Sequence, residues 1–105
     1  MTRTPAKLLL IYLDETLRLG DIPLYEAVIQ RLARLDIRGA TVHAGIMGFG
    51  HHHTIHRKRL FGVSDDRPMT ISVVETEEKL AAVLPEIRAT VVKGKVFLLD
   101  GEIVE

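Results

Sequence analysis

The segment KLLLIYL, from Lys7 to Leu13, is apolar on both faces that a β-strand presents to its surroundings. Its side chains alternate in two sets: Leu8, Leu10 and Tyr12 on one face, and Leu9, Ile11 and Leu13 on the other. A strand with this pattern is buried on both sides. The chain must therefore form a sheet that needs cover on each face.

A helix and a second strand are predicted after this segment. Pro23 suits the first turn of a helix, because its missing N–H would have no partner there. The following apolar residues are spaced for one helical face: Leu24, Ala27, Val28, Leu32 and Leu35. Gly39 is expected to close the helix, and residues 39–47 are typical of a strand.

The second half of the chain predicts a further strand, helix and strand. Residues 69–75 alternate between apolar and polar side chains. Thr76 is a suitable helix N-cap, Pro85 should kink the helix, and Gly94 should end it. The buried stripe of this helix is expected to contain Leu80, Val83, Leu84, Ile87 and Val91. The last strand is KVFLLD, with GEIVE as a short extension.

The resulting order is βαββαβ, which predicts one α+β domain over residues 1–105 with a ferredoxin-like fold. A long loop joins the second and third strands. Both helices of such a domain pack on one face of the sheet, yet the first and last strands are apolar on both faces. We expect a second copy of the chain to cover the open face, the alternative being a thinly covered face in a monomer.

Composition limits the function classes. The chain has 105 residues, 47% hydrophobic and 27% charged, which is ordinary for a folded protein. Fourteen basic residues balance 14 acidic ones, so nucleic acid is not an expected partner. There is no cysteine, which excludes disulfides and thiolate chemistry. The N-terminal apolar run is too short to span a membrane, and we expect a cytoplasmic protein without membrane insertion.

The segment GIMGFGHHHTIHRKR, residues 45–59, concentrates glycine, histidine and basic residues. Its glycines, Gly45, Gly48 and Gly50, would let the backbone adopt positive φ and direct N–H groups at a phosphate. The spacing matches neither the P-loop nor the dinucleotide-binding fingerprint. An ordinary glycine-rich strand end therefore remains an alternative.

The histidines of this segment suggest a transition-metal site. His51 and His53, or His53 and His56, could share a face, but three adjacent histidines cannot converge on one ion in an extended chain. No nearby carboxylate completes the site, so metal binding by His51, His53 and His56 is an alternative hypothesis only.

Catalytic groups are not evident. Ser64 lies in a polar turn, and the histidines of the segment have no acidic partner nearby in the sequence. His43 is expected to be a half-buried structural residue. We predict that the protein is not an enzyme.

Several segments together resemble the PII-like family known as domain of unknown function 190. They are IPLYEAVIQRL, GATVHAGIMGFG, TIH, VSDDRPMTISVVE and LPEI followed by VKGKV, and they extend over about residues 7–104. That family is similar to the PII signal-transduction proteins, which are ferredoxin-like trimers. PII proteins bind adenine nucleotides in clefts between subunits and contact target proteins through a mobile loop between strands 2 and 3.

The resemblance implies a homotrimer that binds AMP, ADP or ATP as an effector. Gly48, Phe49 and Gly50 match the loop base of PII, and Gly94 with Lys95 resembles a shortened phosphate-holding turn. Thr54 and His56 match the family's hydroxyl-x-His pattern and are expected to face the same cleft. The loop that contacts an unknown target protein would contain His51, His52, His53, Arg57, Lys58 and Arg59.

The chain also departs from PII. Its tyrosines, Tyr12 and Tyr25, lie outside the loop, so the tyrosine modification of some PII proteins has no site here. His51 and His52 replace the basic residue and glutamine that follow the G-F-G of PII. We therefore predict a regulatory nucleotide-binding protein, with metal-responsive binding as the alternative.

Overall fold

A computed structural model of the chain describes residues 1–49, 56–57 and 67–105. The elements run in the order β1 (Arg3–Asp14), β2 (Arg18–Leu19), β3 (Ile22–Pro23), α1 (Leu24–Arg34), β4 (Thr41–Ala44), β5 (Met47–Gly48), β6 (His56–Arg57), β7 (Pro68–Glu75), α2 (Glu77–Thr90) and β8 (Lys95–Val104). The longer elements confirm the predicted βαββαβ order and the α+β fold class.

The longer strands form one antiparallel sheet in the order β4-β7-β1-β8. The central strand β1 pairs with β7, where Ile11 is opposite Ile71, and with β8, where Ile11 is opposite Val96. Two short ribbons, β2 with β3 and β5 with β6, lie beside this sheet. The strands β4 and β8 are therefore its two edges.

The helices cover one face of the sheet and form the core with it. In β1 the buried set is Leu9, Ile11 and Leu13, as the alternation predicted. The core residues from the other elements include Leu24, Val28, Leu32, Ile71, Val73, Leu80, Val83, Ile87 and Val91. Leu35 and Leu84, both predicted in the buried stripes, are partly buried at its margin.

The end of α1 differs from the prediction that Gly39 closes it. The helix ends at Arg34, and Asp36 adopts a φ of 62°. The N–H of Ile37 donates to the carbonyl oxygen of Leu32 at 3.3 Å, and both side chains are buried. This is a Schellman-type end, in which aspartate occupies the left-handed position that glycine usually takes.

The helix α2 begins as predicted but ends earlier. The N–H of Lys79 donates to Thr76 Oγ1 at 3.5 Å, which confirms Thr76 as the N-cap. The helix continues through Pro85 and ends at Thr90, before the predicted end at Gly94. A kink at Pro85 stays a prediction.

The strand boundaries also differ in two places. The strand predicted over residues 39–47 is divided into β4 and β5, because the chain leaves the sheet at Gly45. The last strand is one element over Lys95–Val104, and it pairs with β1 along Arg3–Tyr12. The predicted short extension is thus part of the sheet.

The face of the sheet opposite the helices is open and partly apolar in the single chain. Its exposed large side chains, with their exposed fractions, are Tyr12 (43%), Val74 (55%), Phe97 (46%) and Leu99 (44%). Neither helix among the described residues is long and apolar enough to span a membrane.

Candidate functional site

The first half of the candidate site lies where β4 leaves the sheet and contacts Pro68. The N–H of Gly45 donates to the carbonyl oxygen of Pro68 at 2.7 Å. A Cβ added at Gly45 would lie 2.6 Å from Pro68 Cγ, and one added at Gly48 would lie 3.1 Å from the same atom. Pro68 therefore requires small residues at both positions.

The expected backbone conformation of the two glycines was wrong. Positive φ was expected at Gly45 and Gly48, whereas the positive-φ glycines of the described chain are Gly20 and Gly94. Gly45 and Gly48 allow close approach of the chain to Pro68, and their role in phosphate binding stays a prediction. Nothing in the sequence indicated Pro68 as their partner.

The short β5–β6 ribbon brings together two residues of the predicted nucleotide set. Gly48 is opposite His56, and Met47 is opposite Arg57. Phe49 follows Gly48 directly and is 65% exposed. The other predicted residues of this segment lie outside the described residues: Gly50, His51, His52, His53, Thr54, Lys58 and Arg59.

The second half of the candidate site is the turn that enters β8. Gly94 has a φ of 153°, and a Cβ there would lie 2.8 Å from the carbonyl oxygen of Tyr12 and 2.8 Å from Val91 Cγ1. Both its backbone conformation and its surroundings require glycine. Lys95 follows it, is exposed, and pairs with Tyr12 across the β1–β8 ladder.

The two halves lie at the same end of the sheet but at opposite edges. Gly48 follows the edge strand β4, and Lys95 begins the other edge strand β8, with β7 and β1 between them. Neighbouring strands are separated by about 4.8 Å, so the edges are about 14 Å apart. Within one chain, the two halves therefore lie at the same end of the strands but do not contact each other.

An ion pair beside the first half joins the end of β1 to the start of β7. Arg67 donates to Glu15 through Nε, at 3.1 Å to each carboxylate oxygen, and through Nη2. The N–H of Glu15 also donates to the carbonyl oxygen of Arg67 at 2.9 Å. This pair could not be predicted from the sequence, since 52 positions separate its members.

The charge of Glu15 is stabilised by this contact. Hydrogen bonds from Arg67 hold the pKa of the Glu15 carboxyl below its usual value, against the opposing effect of burial. Arg67 and Pro68 are adjacent, so one short segment packs against Gly45 and Gly48 and also binds the end of β1. This arrangement fixes the backbone that precedes and follows residues 50–66.

His43 differs from its expected half-buried state. It lies on β4 opposite Thr70 and is exposed on the open face of the sheet. Because Val42 packs against the core, alternation places His43 on the opposite side.

Among the described residues, no group of three or more His, Cys, Asp or Glu side chains is arranged to hold a metal ion. The alternative metal site involves His51 and His53, which lie outside the described part of the chain, and His56, of which only the backbone is described.

Comparison with known proteins places this architecture in a family. The family model of DUF190, described as an uncharacterized ACR, matches residues 6–103. The chain belongs to the DUF190 family. A relative with the name UPF0166 protein, from Aquifex aeolicus, is 30% identical over 93% of this chain and 92% of its own length.

Solved structures similar to this DUF190 chain include PII-like proteins, which confirms the resemblance seen in the sequence. CPII from Thiomonas intermedia is a nitrogen regulatory PII-like protein whose structure was determined bound to ADP, AMP and bicarbonate. It matches with a TM-score of 0.71 at 21% identity, over 99% of this chain and all of CPII. A PII-like signaling protein of Thermus thermophilus matches with a TM-score of 0.69 at 18% identity, over 99% of this chain and 94% of its own.

Proposed function

We propose that this DUF190 protein is a non-enzymatic regulator that binds an adenine nucleotide in clefts between copies of itself. The fold is that of PII-like proteins, and CPII was determined bound to ADP and AMP. The nucleotide is AMP, ADP or ATP, and the residues proposed to bind it are Gly48, Phe49, Gly50, Thr54, His56, Gly94 and Lys95.

The observation that carries this proposal is the position of the two halves of the site. Gly48 and Phe49 at the β4 edge lie at the same end of the sheet as Gly94 and Lys95 at the β8 edge. A ring of identical subunits brings unlike surfaces of neighbours together. In such a ring, the β4 edge of one copy meets the β8 edge of the next, and the two halves then face one cleft.

The open face of the sheet supports assembly. Tyr12, Phe97 and Leu99 are each more than two fifths exposed there in the single chain. Burial of this surface against other copies would provide the hydrophobic free energy of association. Three copies are proposed because PII proteins, which the chain resembles, are trimers.

The groups at the cleft suit a phosphate. Backbone N–H groups beside glycine can approach an anion closely, and Lys95 supplies a positive charge from an exposed position. Gly94 places the start of β8 tightly against Tyr12, so the position of Lys95 is set by the core of the sheet.

Isothermal titration calorimetry with AMP, ADP and ATP tests the proposal. We expect binding by the trimer, and weaker binding by Lys95→Gln because a charge-assisted contact is lost. The matched control is Lys93→Gln, an exposed lysine of the same turn, which should bind as the parent does. Absence of heat with all three nucleotides, from an intact trimer, would refute nucleotide binding.

The basic segment after Gly50 is proposed to contact a partner protein. Arg57, Lys58 and Arg59, with His51, His52 and His53, form a run that contains no carboxylate. An Arg57→Ala/Arg59→Ala variant should keep the trimer and its nucleotide affinity while losing association with the partner. Loss of the trimer itself would contradict this assignment.

We expect no catalytic turnover, because the sequence offers no general base and no acidic Mg²⁺ site beside the proposed phosphates. Incubation of the purified trimer with ATP should release no phosphate above the rate of a buffer control. Sustained release that co-purifies with the trimer would overturn this expectation.

A further inference from the structure

One polar row crosses the open face of the sheet at the end that carries the candidate site. The strand registers place His43 opposite Thr70, Thr70 opposite Tyr12, and Tyr12 opposite Lys95. The row therefore runs from the β4 edge to the β8 edge and has a basic side chain at each end. The next row along the strands, Thr41, Ser72, Leu10 and Phe97, already contains two large apolar residues.

Both basic ends of the row are accessible. His43 and Lys95 are exposed. Within the described part of the chain, neither side chain forms a hydrogen bond or an ion pair. The row itself contains no carboxylate. The nearest acid on β1, Asp14, accepts hydrogen bonds from the backbone N–H and hydroxyl of Thr16 at 2.9 and 2.7 Å.

A ring of copies would bring these two ends together. If the symmetry axis of the ring runs along the strands, rotation leaves the height of every residue unchanged, and the row of one copy continues into the row of the next. His43 at the β4 edge then adjoins Lys95 of the neighbouring copy. The ammonium group of Lys95 and the imidazole N–H of His43 are both hydrogen-bond donors, so an anion between them can accept from both.

We propose that His43 is a phosphate-binding residue of the nucleotide cleft and acts together with Lys95 of the neighbouring copy. This inference rests on the proposed function, which supplies the nucleotide and the ring. Within it, His43 adds a side-chain donor on strand β4 to the backbone N–H groups beside Gly48 and to the other residues of the proposed site. The ligand feature recognised is the phosphate chain and not the adenine base.

The first test compares ligands with and without phosphate. Calorimetry of His43→Ala should show about tenfold weaker binding of ADP, as expected for loss of a charge-assisted hydrogen bond. The affinity for adenosine, which lacks phosphate, should equal that of the parent. Thr41→Val, an exposed substitution on the same strand and face, is the control and should leave both affinities unchanged.

The second test asks whether the two residues come from different copies. His43→Ala and Lys95→Gln chains are mixed, unfolded and refolded together into mixed trimers. If each cleft takes His43 from one copy and Lys95 from the next, about a quarter of the clefts are intact and recover the parent's affinity. If both residues came from one copy, no cleft would recover.

The outcomes separate this inference from the proposed function. If the parent binds no nucleotide, both the proposed function and the role of His43 are refuted. If the parent binds ADP and His43→Ala binds it equally well, or if His43→Ala weakens adenosine to the same extent as ADP, only the role of His43 is overturned. A matching trimer mass for parent and variant, measured by light scattering, shows that assembly is preserved in either case.

Discussion

The two faces of the central sheet carry apolar side chains of similar size, but the chain covers only one of them. On the helix face, Leu9, Ile11 and Ile71 are completely buried. On the open face, Phe97 and Leu99 remain 46% and 44% exposed. The same strands thus provide both surfaces.

This difference indicates two separate uses of one sheet. Side chains on the helix face determine whether the chain folds, since each removes its full apolar surface from water within the single chain. Side chains on the open face can remove their full apolar surface from water only in an assembly of several copies. Substitutions on the two faces should therefore affect different measurements, and the predictions below follow from that separation.

The largest effect is expected from a truncation on the helix face. Ile71→Ala removes a fully buried side chain at the centre of the sheet and should lower the free energy of unfolding by about 4 kcal/mol. Urea denaturation at fixed protein concentration measures this. The control, Val74→Ala, changes the same strand on the open face, and its cost should be about 1 kcal/mol or less. Equal costs would contradict the distinction between the faces.

A buried carboxylate on the helix face should give the next largest effect. Glu75 is fully buried, and it accepts hydrogen bonds from the N–H of Thr76 at 3.0 Å and from Arg38, through its backbone N–H at 3.3 Å and Nη2 at 3.2 Å. Glu75→Ala leaves these donors without their acceptor and should cost about 3 kcal/mol. Glu75→Gln, which keeps the shape and loses the charge, should cost less.

The pH dependence of stability checks the charge of Glu75. Burial acts to raise the pKa of its carboxyl, but the hydrogen bonds from Thr76 and Arg38 outweigh it and lower the pKa below the usual value. The stabilisation is then complete above the unfolded pKa, about 4.3, and is lost as the pH falls through the folded value. The stability difference between parent and Glu75→Gln should shrink over that interval. A difference that is independent of pH would show that the charge contributes nothing.

Gly94 should show a smaller effect, of about 2 kcal/mol, when changed to alanine. The cost combines its φ of 153° with contacts of 2.8 Å to Tyr12 and Val91. The matched control is Gly101→Ala on β8, the strand that follows Gly94, where an added Cβ meets nothing within 4 Å. Thermal unfolding of the two variants should differ clearly, and a Gly101→Ala variant as unstable as Gly94→Ala would refute the steric argument.

Much of the fold follows from the sequence because apolar alternation and helical spacing are local signals. The helix-facing set of β1 and the Thr76 cap were both predicted correctly from short segments. Burial of the other face of β1 was also expected, but in the single chain Tyr12 is 43% exposed there. The end of α1 was missed because Asp36 takes the left-handed conformation usually given to glycine. An aspartate in this left-handed position cannot be recognised from the sequence alone.

The candidate site was less predictable because its parts are distant in sequence. The contacts of Pro68 with Gly45 and Gly48, and of Arg67 with Glu15, depend on how β7 aligns with β4 and β1. The exposure of His43 likewise depends on which face of β4 packs against the core. Gly48 was singled out by the glycine spacing and by the resemblance, and Lys95 by the resemblance alone. That both residues lie at the same end of the sheet, at opposite edges, follows only from the topology.

The smallest effect on folding is expected on the open face, where the same substitution should have the largest effect on assembly. Phe97→Ser replaces a half-exposed side chain and should change the unfolding free energy of the isolated chain by about 1 kcal/mol or less. It places a polar group where copies are proposed to pack, so light scattering should show loss of the trimer. Val92→Ser is the control, since Val92 is 74% exposed but lies in the turn before β8 and not on the sheet. If Phe97→Ser keeps the parent's mass, the open face is not the assembly surface, and the clefts proposed to bind nucleotide would have to form by another contact.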